Sequence, residues 1–132
     1  MAIPTALELV RKACVPCEGG VPPITPDEAA TMLASVPGWE LAAEGKRLRR
    51  AWVVKNFAAG MDFFARVAAL AESEGHHPDL HLEGYRHVVV EVWTHAIGGL
   101  SENDFILAAK INETPIALRE GEPKGGPHVA HR

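Results

Sequence analysis

Long apolar runs are missing from this chain of 132 residues. None approaches the roughly 20 residues that a helix needs to cross a bilayer, so no membrane-spanning helix is expected. The amino terminus, MAIPTALELVRKACVPC, lacks a basic stretch followed by a continuous apolar segment, so no secretory leader is read there. A cytoplasmic location is expected. Cysteine is scarce: Cys14 and Cys17 form no secreted-type disulfide framework. A basic surplus is also absent, with 13 Lys and Arg against 17 Asp and Glu and a formal net charge of −4. That balance argues against a nucleic-acid surface, which usually needs a basic patch. There is no HExxH, no second CxxC and no internal repeat.

What remains is ordinary for a globular domain. Apolar residues make up 47% and charged residues 23%, enough for a core in one domain. Residues 1–24 read as an arm, because CVPCEGGVPP packs prolines and glycines too densely for regular structure. A helix starts at ITPDEAATML. Thr25 caps it, Pro26 suits its first position, and Asp27 and Glu28 favour the positive end of its dipole. Pro37-Gly38 ends it. WELAAEGKRLRRAWVVK reads as a hairpin turning at Glu44-Gly45. Leu48, Trp52 and Val54 share one face of its second strand, and Arg50 falls on that face too. The basic cluster KRLRR, Lys46 to Arg50, is read as a solvated or edge strand rather than a phosphate site.

Asn56 caps a long helix in which Phe57, Met61, Phe64, Ala68 and Ala71 follow one helical stripe, widened by Phe63, Val67 and Leu70. Gly75 stands where a left-handed helix cap is expected. DLHL reads as a short strand, Glu83-Gly84 as a turn, and YRHVVVEVWTH as the strongest strand, with Val88, Val90 and Val92 on one face. Ser101 caps a final helix, with Asp104 as the capping-box residue and Leu100 and Phe105 as a hydrophobic staple. Residues 25–113 form the single domain, and residues 114–132 read as a flexible tail. The order α-β-β-α-β-β-α predicts an α+β fold: a four-stranded, mostly antiparallel sheet with helices on one face.

Chemistry concentrates in AESEGHHPDL. His76 and His77 end a helix, and His95 ends the valine-rich strand. If that strand packs beside DLHL, the three imidazoles meet at one rim of the sheet. Glu72 lies four residues before His76 and faces the pair if the helix reaches Gly75. Imidazoles with a carboxylate suit general acid/base work near neutral pH, since the carboxylate fixes the tautomer. Plain surface polarity is the competing reading, because seven histidines in a chain of this length produce adjacent pairs by chance. A metal site is disfavoured, because ligands on one helix face need i, i+3 or i+4 spacing. CVPC could be half a zinc site or a redox pair, but two thiols in an arm explain it as well. Trp93 and Tyr85 are read as packing residues, although an aromatic near the histidines can stack on a flat ligand.

Glu72, His76-His77-Pro78, Tyr85, His95 and Asp104 stand in an order and at gaps similar to the signature of the pterin-4a-carbinolamine dehydratases. THAIGGLSENDFILAAKIN resembles that family's last helix, and CVPCEGGVPPIT its bacterial amino-terminal arm. The resemblance covers about residues 12–112. It implies a dehydratase that removes water from 4a-hydroxytetrahydropterin to give quinonoid dihydropterin. No metal and no cofactor take part. Its place is tetrahydropterin recycling after an aromatic amino acid hydroxylase. It implies a homodimer or homotetramer joined through sheet edges and helices. By position, His76 and His95 are the implied acid/base pair, with His77 binding the pterin beside them. Glu72, Asp104 and Thr94 orient histidines or substrate, and Pro78 fixes the chain's exit. Leu80 and Ile97 depart from an aromatic and a cysteine found in some relatives. A non-catalytic dimerisation or assembly partner of the same fold is the alternative, and a thiol or metal role for Cys14 and Cys17 ranks last.

Overall fold

The computed structural model describes residues 4–15 and 22–122. Its elements run α1 (Ala6–Arg11), α2 (Pro26–Met32) with a 3-10 turn (Leu33–Ser35), β1 (Glu40–Ala42), β2 (Arg47–Val53), α3 (Phe57–Glu74), β3 (Asp79–Glu83), β4 (His87–Val92), a second 3-10 turn (His95–Ile97) and α4 (Glu102–Asn112). The four strands form one sheet in the order β1-β2-β4-β3, with every neighbouring pair antiparallel. The two hairpins therefore join through β2 and β4, which pair from Leu48↔Val92 to Val53↔His87.

Alternation along the central strands decides where the core lies. Leu48, Trp52, Val88, Val90 and Val92 are buried on one face, beneath the helices. Residues of all four helices join this cluster, among them Leu9, Met32, Phe63, Val67, Phe105 and Leu107. The opposite face holds half-buried side chains, where Arg47 meets Glu91 at 3.1 Å and Arg49 meets Glu40 at 3.0 Å. Arg47 to Arg50 of the KRLRR cluster thus lie on β2, an interior strand and not an edge. Its arginines alternate: Arg47 and Arg49 are charge-paired on the open face, whereas Arg50 is turned into the core side.

Caps set the helix ends. Asn56 accepts the Ala59 N–H at 2.8 Å, and Gly75, at φ 67°, closes α3 in the left-handed conformation that a glycine adopts without steric cost. Thr25 and Glu28 exchange hydrogen bonds as a capping box on α2. The same device, Thr5 with Glu8, starts α1 inside the segment expected to be an irregular arm. Leu9 of that helix is fully buried, so α1 belongs to the core. The buried stripe of α3 is Ala59, Gly60, Phe63, Val67 and Ala71, whereas Phe57 and Met61 are exposed. The expected stripe was displaced because the sheet lies under the Phe63 row. Gly60 contributes to this closeness, since a Cβ there would sit 3.4 Å from Leu82 and Val54.

At the other terminus, residues 114–122 dock rather than hang free. The Lys55 N–H donates to Ala117 O at 2.9 Å and the Arg119 N–H to Val53 O at 3.1 Å, and Leu118 bridges to Val54. Residues 123–132, the rest of the expected tail, lie outside the described residues, as do residues 16–21 with Cys17. No helix among the described residues is long and apolar enough to cross a membrane.

Candidate active site

The antiparallel pairing of β3 with β4 brings the end of α3 beside the end of β4, because Asp79 pairs with Glu91. His76 and His77 leave α3 there, and Trp93, Thr94 and His95 follow β4. A cavity of about 260 Å³ opens between them, lined by His76, His77, Trp93, Thr94, His95 and Asn103 among others. The three histidines expected to meet at one rim do line one cavity.

The two adjacent imidazoles have different partners. His76 Nε2 lies 2.6 Å from Asp104 Oδ1, with the Asp104 side chain fully buried and that of His76 13% exposed. The other carboxylate oxygen of Asp104 accepts from the Thr94 hydroxyl at 2.8 Å and from the Ser101 N–H at 2.9 Å. Thr94 and Ser101 share a further bond of 2.7 Å between their hydroxyls. Asp104 is therefore both the residue that ties back to the start of α4 and the one that holds His76. His77 Nε2 lies 2.5 Å from Glu72 Oε2, but these side chains are 62% and 76% exposed. An exposed pair of this kind is screened by water and contributes little to stability.

His95 is held differently again. Its ring stacks on Trp93 with centroids 3.8 Å apart and planes 24° from parallel. Trp93 is fixed in turn, its Nε1–H donating to Asp79 at 3.2 Å and the Arg47 guanidinium lying 4.6 Å from its ring centre. Thr94 is pinned further by its N–H, which donates to Gly99 O at 2.8 Å.

One lip of the cavity comes from the amino-terminal segment. Val15 exchanges two hydrogen bonds with the Asn103 side chain, at 3.0 and 2.6 Å. The Cys14 N–H donates to Glu74 at 2.8 Å, and Lys110 donates to the same carboxylate at 2.6 Å. Burial acts to raise the pKa of Glu74, but the Cys14 N–H and Lys110 outweigh it and hold the carboxyl below its usual value. A depressed carboxylate contributes stability above its unfolded pKa of about 4.3 and loses it as pH falls through the folded value. Glu74→Gln is therefore expected to cost about 1–2 kcal/mol at pH 7, the worth of a charge-assisted hydrogen bond that water partly screens. In urea denaturation the gap from the parent should close as the pH drops below about 4; an equal gap at both pH values would refute this. Burial, with Glu74 beside it, pushes the Cys14 thiol up to about 12. Cys14 is thus a poor thiolate, which counts against a redox or zinc role for it.

Among the expected site residues, Glu72 reaches the cavity only through His77, and Pro78 is not among its lining residues. Tyr85 is not at the site. It occupies the β3–β4 turn at φ 57°, at the opposite end of that hairpin, and is 56% exposed. Trp93, Asn103 and Ser101 are the residues that sequence reasoning did not assign. Trp93 had a signal, an aromatic next to the histidine-bearing strand end. Ser101 had none beyond helix capping, and Asn103 had none at all. Among the described residues no three His, Cys, Asp or Glu side chains converge as metal ligands.

The model of the pterin 4 alpha carbinolamine dehydratase family matches residues 22–114. This chain belongs to that family. A relative from Arabidopsis thaliana, named pterin-4-alpha-carbinolamine dehydratase 2, mitochondrial, is 55% identical over 112 residues, which is 83% of this chain and 60% of the relative. The chain thus spans less than two thirds of that protein. A putative pterin-4-alpha-carbinolamine dehydratase from Methylococcus capsulatus is 47% identical over 82% of this chain and 94% of its own length. Among solved structures, a transcriptional coactivator/pterin dehydratase from Brucella melitensis superimposes with a TM-score of 0.63 at 30% identity, covering 69% of this chain and 96% of that one. The pterin-4-alpha-carbinolamine dehydratases are hydro-lyases, and the four-stranded antiparallel sheet with its helices is the fold shared with that neighbour.

Proposed function

We propose that this member of the family dehydrates 4a-hydroxytetrahydropterin to quinonoid dihydropterin by histidine general acid/base catalysis, within tetrahydropterin recycling. The observation that carries the reading is the buried His76–Asp104 pair at a cavity that His77 and His95 also line.

Loss of water from the carbinolamine breaks the C4a–O bond and forms the C4a=N5 bond. A proton must reach the leaving hydroxyl, and the proton on N5 must depart. A carboxylate only accepts hydrogen bonds, so Asp104 favours the tautomer of His76 that carries its proton on Nε2. That leaves Nδ1 of His76 to exchange a proton with substrate. His95 supplies the second imidazole, and its stack on Trp93 fixes the ring plane. The two can then act in opposite senses, one donating to the hydroxyl while the other accepts from N5. His77, on the exposed rim with Glu72, serves in binding and orienting the pterin. Pro78 directs the chain from the helix end into β3.

The test is a coupled assay in which an aromatic amino acid hydroxylase supplies the carbinolamine. Purified protein should accelerate its breakdown at catalytic, substoichiometric amounts; no acceleration would refute the assignment. Within that assay Glu72→Ala is expected to change kcat/KM by less than about fivefold, since its ion pair is exposed to solvent.

Self-association belongs to the same proposal. The exposed Phe57 and Met61 on α3 support a homo-oligomer joined through helices. Light scattering on the eluting protein should give a multiple of the 14.2 kDa chain mass, and Met61→Glu should reduce it. The non-catalytic partner reading is not favoured, because the histidine constellation is complete.

A further inference from the structure

Arg50 stands in the core-side row of β2 between Leu48 and Trp52 and is only 6% exposed. Its Nη1 donates to Pro37 O at 3.0 Å and to Asn112 Oδ1 at 2.6 Å. Both acceptors are neutral. Asn112 is itself committed, accepting from Trp39 Nε1 at 2.8 Å and donating to Pro37 O at 3.0 Å. The Arg50 Nε is buried without a hydrogen-bond partner, and Arg50 takes part in no ion pair among the described residues. The Trp52 ring, 4.8 Å from the Arg50 Cζ, gives the charge an aromatic face and no countercharge. Space for the guanidinium depends on Gly38, at φ 90°, where a Cβ would fall 2.4 Å from the Arg50 Cζ. A buried cation is ordinarily paired, because desolvation without a partner is costly.

The same arginine lines a cavity of about 440 Å³, together with Trp52, Phe63, Ile111, Ile116 and Leu118. This volume lies in the range of small-molecule sites, and its walls are mostly apolar with few polar groups, as such sites usually are. The outer wall is the docked segment after α4, held by the Lys55–Ala117 and Arg119–Val53 hydrogen bonds. None of its lining residues belongs to the histidine cavity. Phe63 lies about 16 Å along α3 from Glu74, at 1.5 Å per residue.

We propose that this cavity is a second ligand site, which takes a small organic monoanion with one carboxylate and an aromatic or branched aliphatic body. The carboxylate would neutralise Arg50, and the body would fill the space between Trp52, Phe63 and the Ile116–Leu118 wall. A phosphate ester or nucleotide fits poorly, because Arg50 is the only cation among the described residues that line the cavity, and most of its surroundings are apolar.

Titration calorimetry on the full chain tests this with 3-phenylpropionate and 4-methylpentanoate against 3-phenylpropionamide. The carboxylates should bind, and the amide should bind roughly tenfold or more weakly, the worth of a hydrogen bond to a charged group. Arg50→Met should fold, since an apolar chain of similar length replaces an unpaired buried charge, and it should abolish the preference for the carboxylate. Ile116→Trp keeps Arg50 and fills the cavity, so it should abolish binding of both carboxylates. It decides the matter if Arg50→Met does not fold. A variant with both His76 and His95 changed to alanine should bind as the parent does, which separates this site from the dehydratase site. Equal binding of carboxylate and amide, no binding of either carboxylate, or parent-like binding by Ile116→Trp would each overturn the proposal.

Discussion

Asp104→Asn is expected to lower kcat for carbinolamine dehydration by about 10²–10⁴-fold while the protein remains folded. The carboxylate accepts from three donors: His76 on one oxygen, Thr94 and Ser101 on the other. An amide of the same shape has a single acceptor oxygen. If that oxygen faces Thr94 and Ser101, the NH2 faces His76 and forces the imidazole into the opposite tautomer. Nδ1, which faces the substrate, then already carries the proton and can no longer accept one. If the amide flips, the start of α4 loses its acceptor instead. Either arrangement leaves a buried polar group mismatched, so a stability loss of about 1–3 kcal/mol should accompany the loss of rate. Urea denaturation and the coupled assay on one preparation separate the two effects. His76→Ala should match Asp104→Asn in kcat within about tenfold, because the two side chains act as one unit. A variant Asp104→Asn with parent-like kcat would show that His76 does not transfer a proton.

The second large effect is expected at His95. Its replacement by alanine should lower kcat by about 10²-fold or more, as for removal of one positioned acid or base. Stability should change little, since His95 is exposed and contributes a stack on Trp93 rather than a buried hydrogen bond. His77→Ala should act mainly on KM. The contrast is a consequence of placement: His77 is bonded to an exposed carboxylate at the rim, whereas His76 is bonded to a buried one. If His95→Ala raised KM alone and left kcat unchanged, the second proton transfer would have to be assigned elsewhere.

Much of the frame is legible locally. Thr25, Pro26, Asn56, Gly75 and Ser101 mark helix ends by the chemistry of backbone groups left without partners, and each stands where a helix begins or stops. Val88, Val90 and Val92 announce their buried face by alternation alone. Helix α1 was also legible, through Thr5 and Glu8 at capping-box spacing, but the prolines and glycines that follow masked it. The docked segment at residues 114–122 was not. Ile116 and Leu118 stand in a run, Pro115 to Leu118, too short to show a period, and their partial burial depends on a bridge to Val54, far away in the chain.

The site divides in the same way. Spacing along the chain placed His76, His77 and His95 at element ends, and antiparallel pairing of β3 with β4 follows from a short turn between them. The sequence by itself thus determined which imidazoles belong together and that a carboxylate stands nearby. Only the tertiary structure decided which carboxylate serves which imidazole. Glu72, one turn before His76, suggested itself by helical spacing, yet Gly75 turns the chain out of the helix, and Glu72 meets His77 instead. His76 swings inward to Asp104 on α4, a residue whose local pattern announces only a helix start. The stripe of α3 and the interior position of β2 were likewise decided by strand order, which arises from contacts between distant segments and has no local code. Arg50 shows the limit most plainly: alternation put a cation on the core face, but only the packing of Pro37, Gly38, Trp52 and Asn112 around it left that charge buried with no counterion among the described residues.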